Sequence, residues 1–261
     1  LRAEWVISVK GKVNKRPERM INKDEANGDI EIEILGVDVL NEAKTTPFEV
    51  SENSINVDED MRLEYRYLDL RTERMQKNIR LRSTFIQKCR EYLFNNKFTE
   101  IETSYLSAPT AEGSRDFIVP SRIRPGKFYA LPQSPQQYKQ LLMTGGFERY
   151  FQVARAFRDE DLRADRGFEH TQIDVEISFV DRDAVLDLIE GMYISVLEDM
   201  GFTIKEKPFP RITYKEAMKK YGDDKFDFRT EKEKEEGVLS YAWVVDFPLF
   251  EEQDGGGWTF S

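Results

Sequence analysis

Apolar and polar residues alternate most regularly between Tyr150 and Val180, and the pattern predicts two strands joined by a long charged loop. On the first strand Phe151, Val153 and Phe157 point one way, and Gln152, Ala154, Ala156, Arg158 and Glu160 point the other. On the return strand Thr171, Ile173, Val175, Ile177 and Phe179 form an apolar face opposite Gln172, Asp174 and Glu176. One sheet face therefore gathers an arginine with acidic and amide groups, framed by small alanines. A solvated outer face with incidental ion pairs accounts for this pattern as well as a ligand site does.

Alternation also marks WVISVKGKV up to Gly11, and DIEIEILGVDVL after a turn at Asn27-Gly28, with Ile30, Ile32 and Ile34 expected inward. Residues 47–62 are polar and without period, which predicts a linker. Helical spacing runs from about Thr72 to Asn96, with Met75, Ile79, Ile86, Cys89 and Leu93 on one stripe. Ser134 as N-cap, Pro135 at the first helical position, Gln137 in a capping box and Gly145 beyond the last turn predict a second helix. Asp183 is expected to cap a third, with Val185, Leu188, Ile189, Met192, Tyr193, Val196 and Leu197 inward and Gly201 as the stop. Thr213 and Glu216 form a capping box before a short helix ending near Gly222, and EKEKEEG at 231–237 reads as a charged connector. WVVDFPLFE is a predicted strand, and EEQDGGGW a hairpin turn leading into its partner.

Composition narrows the class. The 261 residues could form one large domain or a small one beside a larger one, and with 39% hydrophobic, 12% aromatic and 34% charged residues the chain can bury a core. No run approaches the roughly 18 apolar residues of a membrane span, and no apolar signal segment opens the sequence, so the expected compartment is the cytoplasm. The lone Cys89 is expected to act as a small buried hydrophobe rather than a nucleophile. A net charge of −10 argues against indiscriminate nucleic-acid binding, although residues 1–23 hold seven Lys/Arg against two Glu and residues 62–90 hold nine against three acids. The sequence begins at Leu1 without methionine and stops at Ser261 in mid-pattern, so a fragment is expected.

Two sets of residues carry chemistry. The Arg158 guanidinium can grip a phosphate or carboxylate bidentately, while carboxylates beside it receive an ammonium. Gln136 and Lys139 lie three apart, on one face of a helix near its N-terminus, an arrangement suited to a carboxylate.

FRDE, a basic loop and HTQIDVE together resemble motif 2 of the class II aminoacyl-tRNA synthetases. With YRYLDLR at Tyr65–Arg71, AEGSRDF at Ala111–Phe117 and ALPQSPQQYK at Ala130–Lys139, the chain resembles the bacterial-type aspartyl-tRNA synthetase family along essentially its whole length, in collinear order. The resemblance implies an α+β fold: a class II antiparallel sheet flanked by helices, preceded by part of an OB-fold β-barrel. It implies the last strands of the anticodon-binding barrel over 1–50, a hinge over 51–64 and an incomplete catalytic domain over 65–261. The large bacterial insertion is expected to be lost or uncovered near 230–237.

The implied activity is ATP-dependent activation of L-aspartate to aspartyl-adenylate and transfer to the 3′ end of tRNA(Asp). Charging of tRNA(Asn) as well, and a non-catalytic relative that binds RNA or a small molecule, remain the alternatives. By resemblance Arg158 is the catalytic residue, bridging the α-phosphate and the substrate carboxylate. Glu112, Ser134, Gln136, Lys139, Gln172 and Asp174 join it around aspartate, with Lys139 pairing the substrate's side-chain carboxylate and Asp174 its ammonium. Asp159, Glu160, Gly167 and His170 join Arg158 at ATP, with Glu160 toward adenine and His170 where relatives stack an aromatic ring. Magnesium is expected through the phosphates, without a protein metal site in this stretch. A lid histidine, a second aspartate-binding arginine and motif 3 are expected past Ser261, and without them this stretch alone is not expected to catalyse. The family works as a homodimer through the helix and strand of motif 1. Three positions depart from its pattern: Ser104 and Ala111 stand where relatives have proline, and Gly167 where many have a glutamine on ATP.

Overall fold

A computed structural model describes the chain except for residues 51–53, 111, 163–165, 254 and 261. The departure at Ala111, the start of the expected hinge and the middle of the motif 2 loop fall outside the described residues. The chain divides into two compact units, Leu1–Arg80 and Leu81–Ser261.

In the first unit β1 (Val6–Lys15) and β2 (Ile30–Asn41) pair antiparallel, with a shift in register between Lys10 and Gly11. At that shift the backbones approach closely: a Cβ on Gly11 would lie 2.5 Å from Ile32 Cγ2 and 2.6 Å from the Glu33 carbonyl oxygen. Ile32 and Ile34, expected inward, are more than half exposed on this two-stranded ribbon.

The stretch expected to be a structureless linker carries a helix, α1 (Glu59–Glu64). Asp58 caps it by accepting from the backbone of Asp60 and Met61, a local signal that the missing periodicity concealed. The short α2 (Arg66–Asp69) follows within YRYLDLR. Asp69 is fully buried there and accepts from Ser54 Oγ at 2.6 Å and Arg66 Nη1 at 2.5 Å. Phe48, Val50 and Leu68 form the small apolar core beside it.

Helix α3 (Glu73–Asn95) begins in the first unit and continues into the second. Its apolar stripe is buried only toward the C-terminus, where Cys89 and Leu93 enter the main core with Phe98, Phe151, Met192 and Val196, whereas Ile79 is half exposed. The central sheet runs β3 (Thr99–Glu100), β6 (Arg149–Phe157), β7 (Glu169–Ile177), with β3 parallel and β7 antiparallel to β6. The ribbon β4 (Ile118–Pro120) and β5 (Phe128–Ala130) precedes α4 (Gln136–Thr144). Strand β7 ends two residues before Phe179. That residue adopts φ +59° and turns out of the pleat, so its ring is exposed rather than on the apolar face.

Helix α5 (Arg182–Asp199) covers one face of the core. Its cap is Asp181, which accepts from the Ala184 amide, not the expected Asp183, which sits in the first turn. Val185 lies on the exposed side of that first turn. The helix also buries Glu190, which accepts from the Phe209 amide at 3.0 Å and the Trp243 indole at 2.9 Å.

Strand β8 (Arg211–Thr213) leads into α6 (Tyr214–Tyr221), whose Thr213–Glu216 capping box and left-handed Gly222 match expectation. The charged connector is itself helical: α7 (Glu231–Glu235), started by a second capping box of Thr230 and Glu233. Arg229 Nη1 donates to the Val238 carbonyl at 3.0 Å, so the two ends of the connector lie side by side. The strand expected over WVVDFPLFE is broken, with β9 (Trp243–Val245) parallel to β8 and β10 (Phe250–Gln253) in a hairpin with β11 (Gly257–Phe260). Asp246, at φ +57°, marks the break.

Candidate active site

The β6–β7 pairing sets Gln152 opposite Asp174, Ala154 opposite Gln172 and Ala156 opposite His170. Period-two alternation then puts all six on one sheet face, and the two alanines keep its centre low. Helix α4 brings Lys139 over this face. Its ammonium donates to Asp174 Oδ1 at 2.9 Å and lies 3.2 Å from Glu176 Oε2.

Lys139 is buried, and burial alone would lower its pKa. Hydrogen bonds and charges from Asp174 and Glu176 outweigh that effect and hold the ammonium above the ordinary lysine value. Burial likewise pushes the Asp174 carboxyl up, with Lys139 opposing. Asp174 Oδ2 is buried without a hydrogen bond of ordinary geometry among the described residues, and the Tyr150 hydroxyl beside the carboxylate also opposes the rise in its pKa. On the same face the hydroxyl of the fully buried Tyr150 donates to Gln152 Oε1 at 2.8 Å, and Thr103 Oγ1 donates to the same oxygen at 2.9 Å.

The start of α4 differs by one position from expectation. Pro135 is the N-cap and no side chain caps the helix in a box; the Ser134 hydroxyl accepts from the Gln136 amide at 3.2 Å and donates to Glu112 Oε2 at 2.6 Å. Proline has no amide to receive a reciprocal side chain, which rules out the box once it occupies the cap. Glu112, Ser134, Gln136 and Lys139 thus form one group around the first turn of α4, with Asp174 reaching it through Lys139.

Arg158 lies just past the end of β6, where its amide donates to the Phe168 carbonyl at 2.8 Å; the amide of its neighbour Phe157 donates to the Pro132 carbonyl at 2.9 Å, which ties this end of the strand to the segment carrying Ser134. The two ends of the face suit an elongated ligand. Asp159 bridges to Arg115, its amide donating to the Arg115 carbonyl at 3.1 Å, and Glu160 lies 3.8 Å from Arg166. His170 and Gln172 sit partly buried along β7 between the two ends. Gly167 is exposed, and a Cβ there would meet only the Glu169 carbonyl at 3.7 Å, so the glycine is not forced by crowding.

Glu176 and Gln133 belong to the site although sequence reasoning did not select them. Glu176 could have been found from its spacing of two from Asp174. Gln133 gave no signal beyond adjacency to Ser134. Among the described residues no cluster of three or more His, Cys, Asp or Glu could hold a metal ion, and no helix is long and apolar enough to cross a membrane.

Comparison with known proteins shows the family and the fold. The family model for tRNA synthetases class II (D, K and N) matches residues 58–256. The chain is 54% identical over 226 residues to an aspartate–tRNA(Asp/Asn) ligase of Dictyoglomus turgidum, covering 87% of this chain and 38% of that protein. It is 45% identical over 252 residues to an aspartate–tRNA ligase of Staphylococcus haemolyticus, covering 97% and 43%. The chain therefore spans about two-fifths of the length of these relatives. In fold it is similar to asparaginyl-tRNA synthetase of Entamoeba histolytica solved with asparaginyl-adenylate: the TM-score is 0.67 over 98% of this chain and 64% of that one, at 20% identity. The architecture is the α+β class II synthetase fold, preceded by part of an OB-fold barrel, and the chain belongs to the class II tRNA synthetases of the D, K and N group.

Proposed function

We propose that the protein carrying this chain is an aspartate–tRNA ligase, which activates L-aspartate with ATP and passes it to the 3′ end of tRNA(Asp). The observation that carries this reading is the pairing of Lys139 with Asp174. A buried ammonium stands beside a buried carboxylate, a layout complementary to an amino acid with an acidic side chain.

In this reading Lys139, which has three donors, gives one to the substrate's side-chain carboxylate, while Asp174 and Glu112 take its ammonium. Ser134, Gln136 and Gln172 complete the aspartate subsite. Arg158, at the other end of the face, draws the α-phosphate of ATP and the substrate carboxylate together. Two anions must meet for in-line attack, so positioning and charge compensation supply most of the rate. Asp159, Glu160, Gly167 and His170 line the nucleotide end, with His170 stacking on adenine. Magnesium would arrive coordinated by the phosphates, keeping several of its waters.

The division into a barrel segment over 1–50, a hinge over 51–64 and a catalytic domain over 65–261 belongs to the same reading, as do homodimerisation through motif 1 and a cytoplasmic location. The name of the Dictyoglomus relative supports a second reading, in which tRNA(Asn) is charged with aspartate as well.

The test is aspartate-dependent exchange of pyrophosphate into ATP by the intact protein, beside its Arg158→Ala and Lys139→Ala variants. Both variants are expected to lose activity by orders of magnitude, Lys139→Ala chiefly through aspartate. Equal turnover of asparagine and aspartate by the parent would overturn the assigned specificity.

A further inference from the structure

Gln133 is 1% exposed, yet its amide makes contacts on every side. Its Nε2 donates to Asp116 Oδ1 at 2.6 Å and the Ser114 carbonyl at 2.9 Å, the latter N–H shared with the Thr110 carbonyl at 3.3 Å. Its Oε1 accepts from the Ser114 amide at 3.2 Å and the Ser114 hydroxyl at 2.5 Å. All five partners lie in the one stretch that also carries Glu112, and Gln133 itself directly precedes Ser134, to which Glu112 is bonded.

An amide is suited to this task because it offers two donors and an acceptor from one planar group, so it can recognise backbone and side chain of a neighbouring segment together. Burial makes the set all-or-none: an unpaired buried donor or acceptor costs more than a made bond contributes.

We propose that Gln133 is a positioning residue. Its buried amide locks Thr110, Ser114 and Asp116 to the approach of helix α4, and so holds Glu112 against Ser134 beside Gln136 and Lys139. Glu112 is exposed, and among the described residues its side chain is tied to the Ser134 hydroxyl alone, so its placement depends on the lock. The role rests on the aspartate-activating reading for its consequence in catalysis, but not for the lock itself.

Two measurements separate these. Hydrogen exchange on the intact protein without substrate reads the lock directly: Gln133→Met, of similar length but unable to bond, is expected to raise exchange at the Ser114 amide at least tenfold. Ser114→Ala, which removes only one hydroxyl contact, is expected to raise it by a smaller factor while leaving the thermal midpoint unchanged. In pyrophosphate exchange, Gln133→Met and Ser114→Ala are both expected to raise KM for aspartate, the former about tenfold, the size of one or two lost hydrogen bonds, with KM for ATP unchanged. Unaltered exchange at Ser114 in both variants would overturn the lock. Faster exchange with unaltered aspartate KM would overturn its role in placing Glu112. A parent that exchanges no pyrophosphate with aspartate would overturn the functional reading and leave the hydrogen-exchange result to decide the lock alone.

Discussion

Lys139 and Asp174 meet at 2.9 Å across the gap between helix α4 and strand β7, each with only 11% of its side chain exposed. Removing one partner of a buried pair strands the other's charge, which typically costs about 3 to 5 kcal/mol. Lys139→Met is therefore expected to lower unfolding free energy by about 3 kcal/mol in chemical denaturation. Lys139→Met combined with Asp174→Asn is expected to recover part of that loss while remaining inactive, which separates the pair's structural cost from its part in binding.

The same pair gives a pH signature. The folded pKa of Lys139 is raised above its ordinary value of 10.5, so its stabilisation is complete below that value and is lost as pH rises through the folded pKa. Thermal midpoints are expected to fall more steeply above pH 10.5 for the parent than for Lys139→Met. Parallel curves would contradict the assignment.

At the acid end, Glu233 is expected to report on the connector. Hydrogen bonds from Lys205 first, then from Thr230, hold its carboxyl down to about 2, against an ordinary 4.5. With a depressed folded pKa, the contribution is present above pH 4.5 and is lost as pH falls toward 2. Carboxyl NMR titration should find that midpoint, and Lys205→Met should move it upward.

Glu190 ties helix α5 to the Phe209 amide and the Trp243 indole from a buried position. Glu190→Leu leaves both donors without a partner, at about 1 to 3 kcal/mol each. A drop of about 2 to 6 kcal/mol in unfolding free energy is expected, whereas Glu190→Gln, which keeps one acceptor, should lose less.

Gly167 offers the opposite case. Space around its Cβ position is open, so Gly167→Gln should leave the thermal midpoint within about a degree. In the proposed function the added amide is expected to lower KM for ATP, as measured by pyrophosphate exchange.

The hairpin and its polar face were legible in the sequence because strand alternation is a two-residue rule that Phe151 to Phe157 and Thr171 to Ile177 obey. The capping box at Thr213 was equally local. Asp58 and Asp181 were missed as caps for a related reason: several acidic residues cluster at each start, at Asp58, Glu59 and Asp60 and at Asp181 and Asp183, and only backbone geometry selects one. Gln133 and Glu190 owe their roles to partners distant in the chain, which no periodicity records, whereas Glu176 follows the alternation of β7 two residues from Asp174. Ile32 and Ile34 follow alternation faithfully, yet stand exposed on a two-stranded ribbon.

The bond from Arg229 to the Val238 carbonyl joins the feet of the helical connector, so whatever is spliced between them leaves the flanking chain where it stands. That makes 231–237 a natural port for grafting: a fluorophore, an affinity handle or a whole foreign module attached there would report from, or anchor, the protein without disturbing the face that carries Lys139 and Asp174.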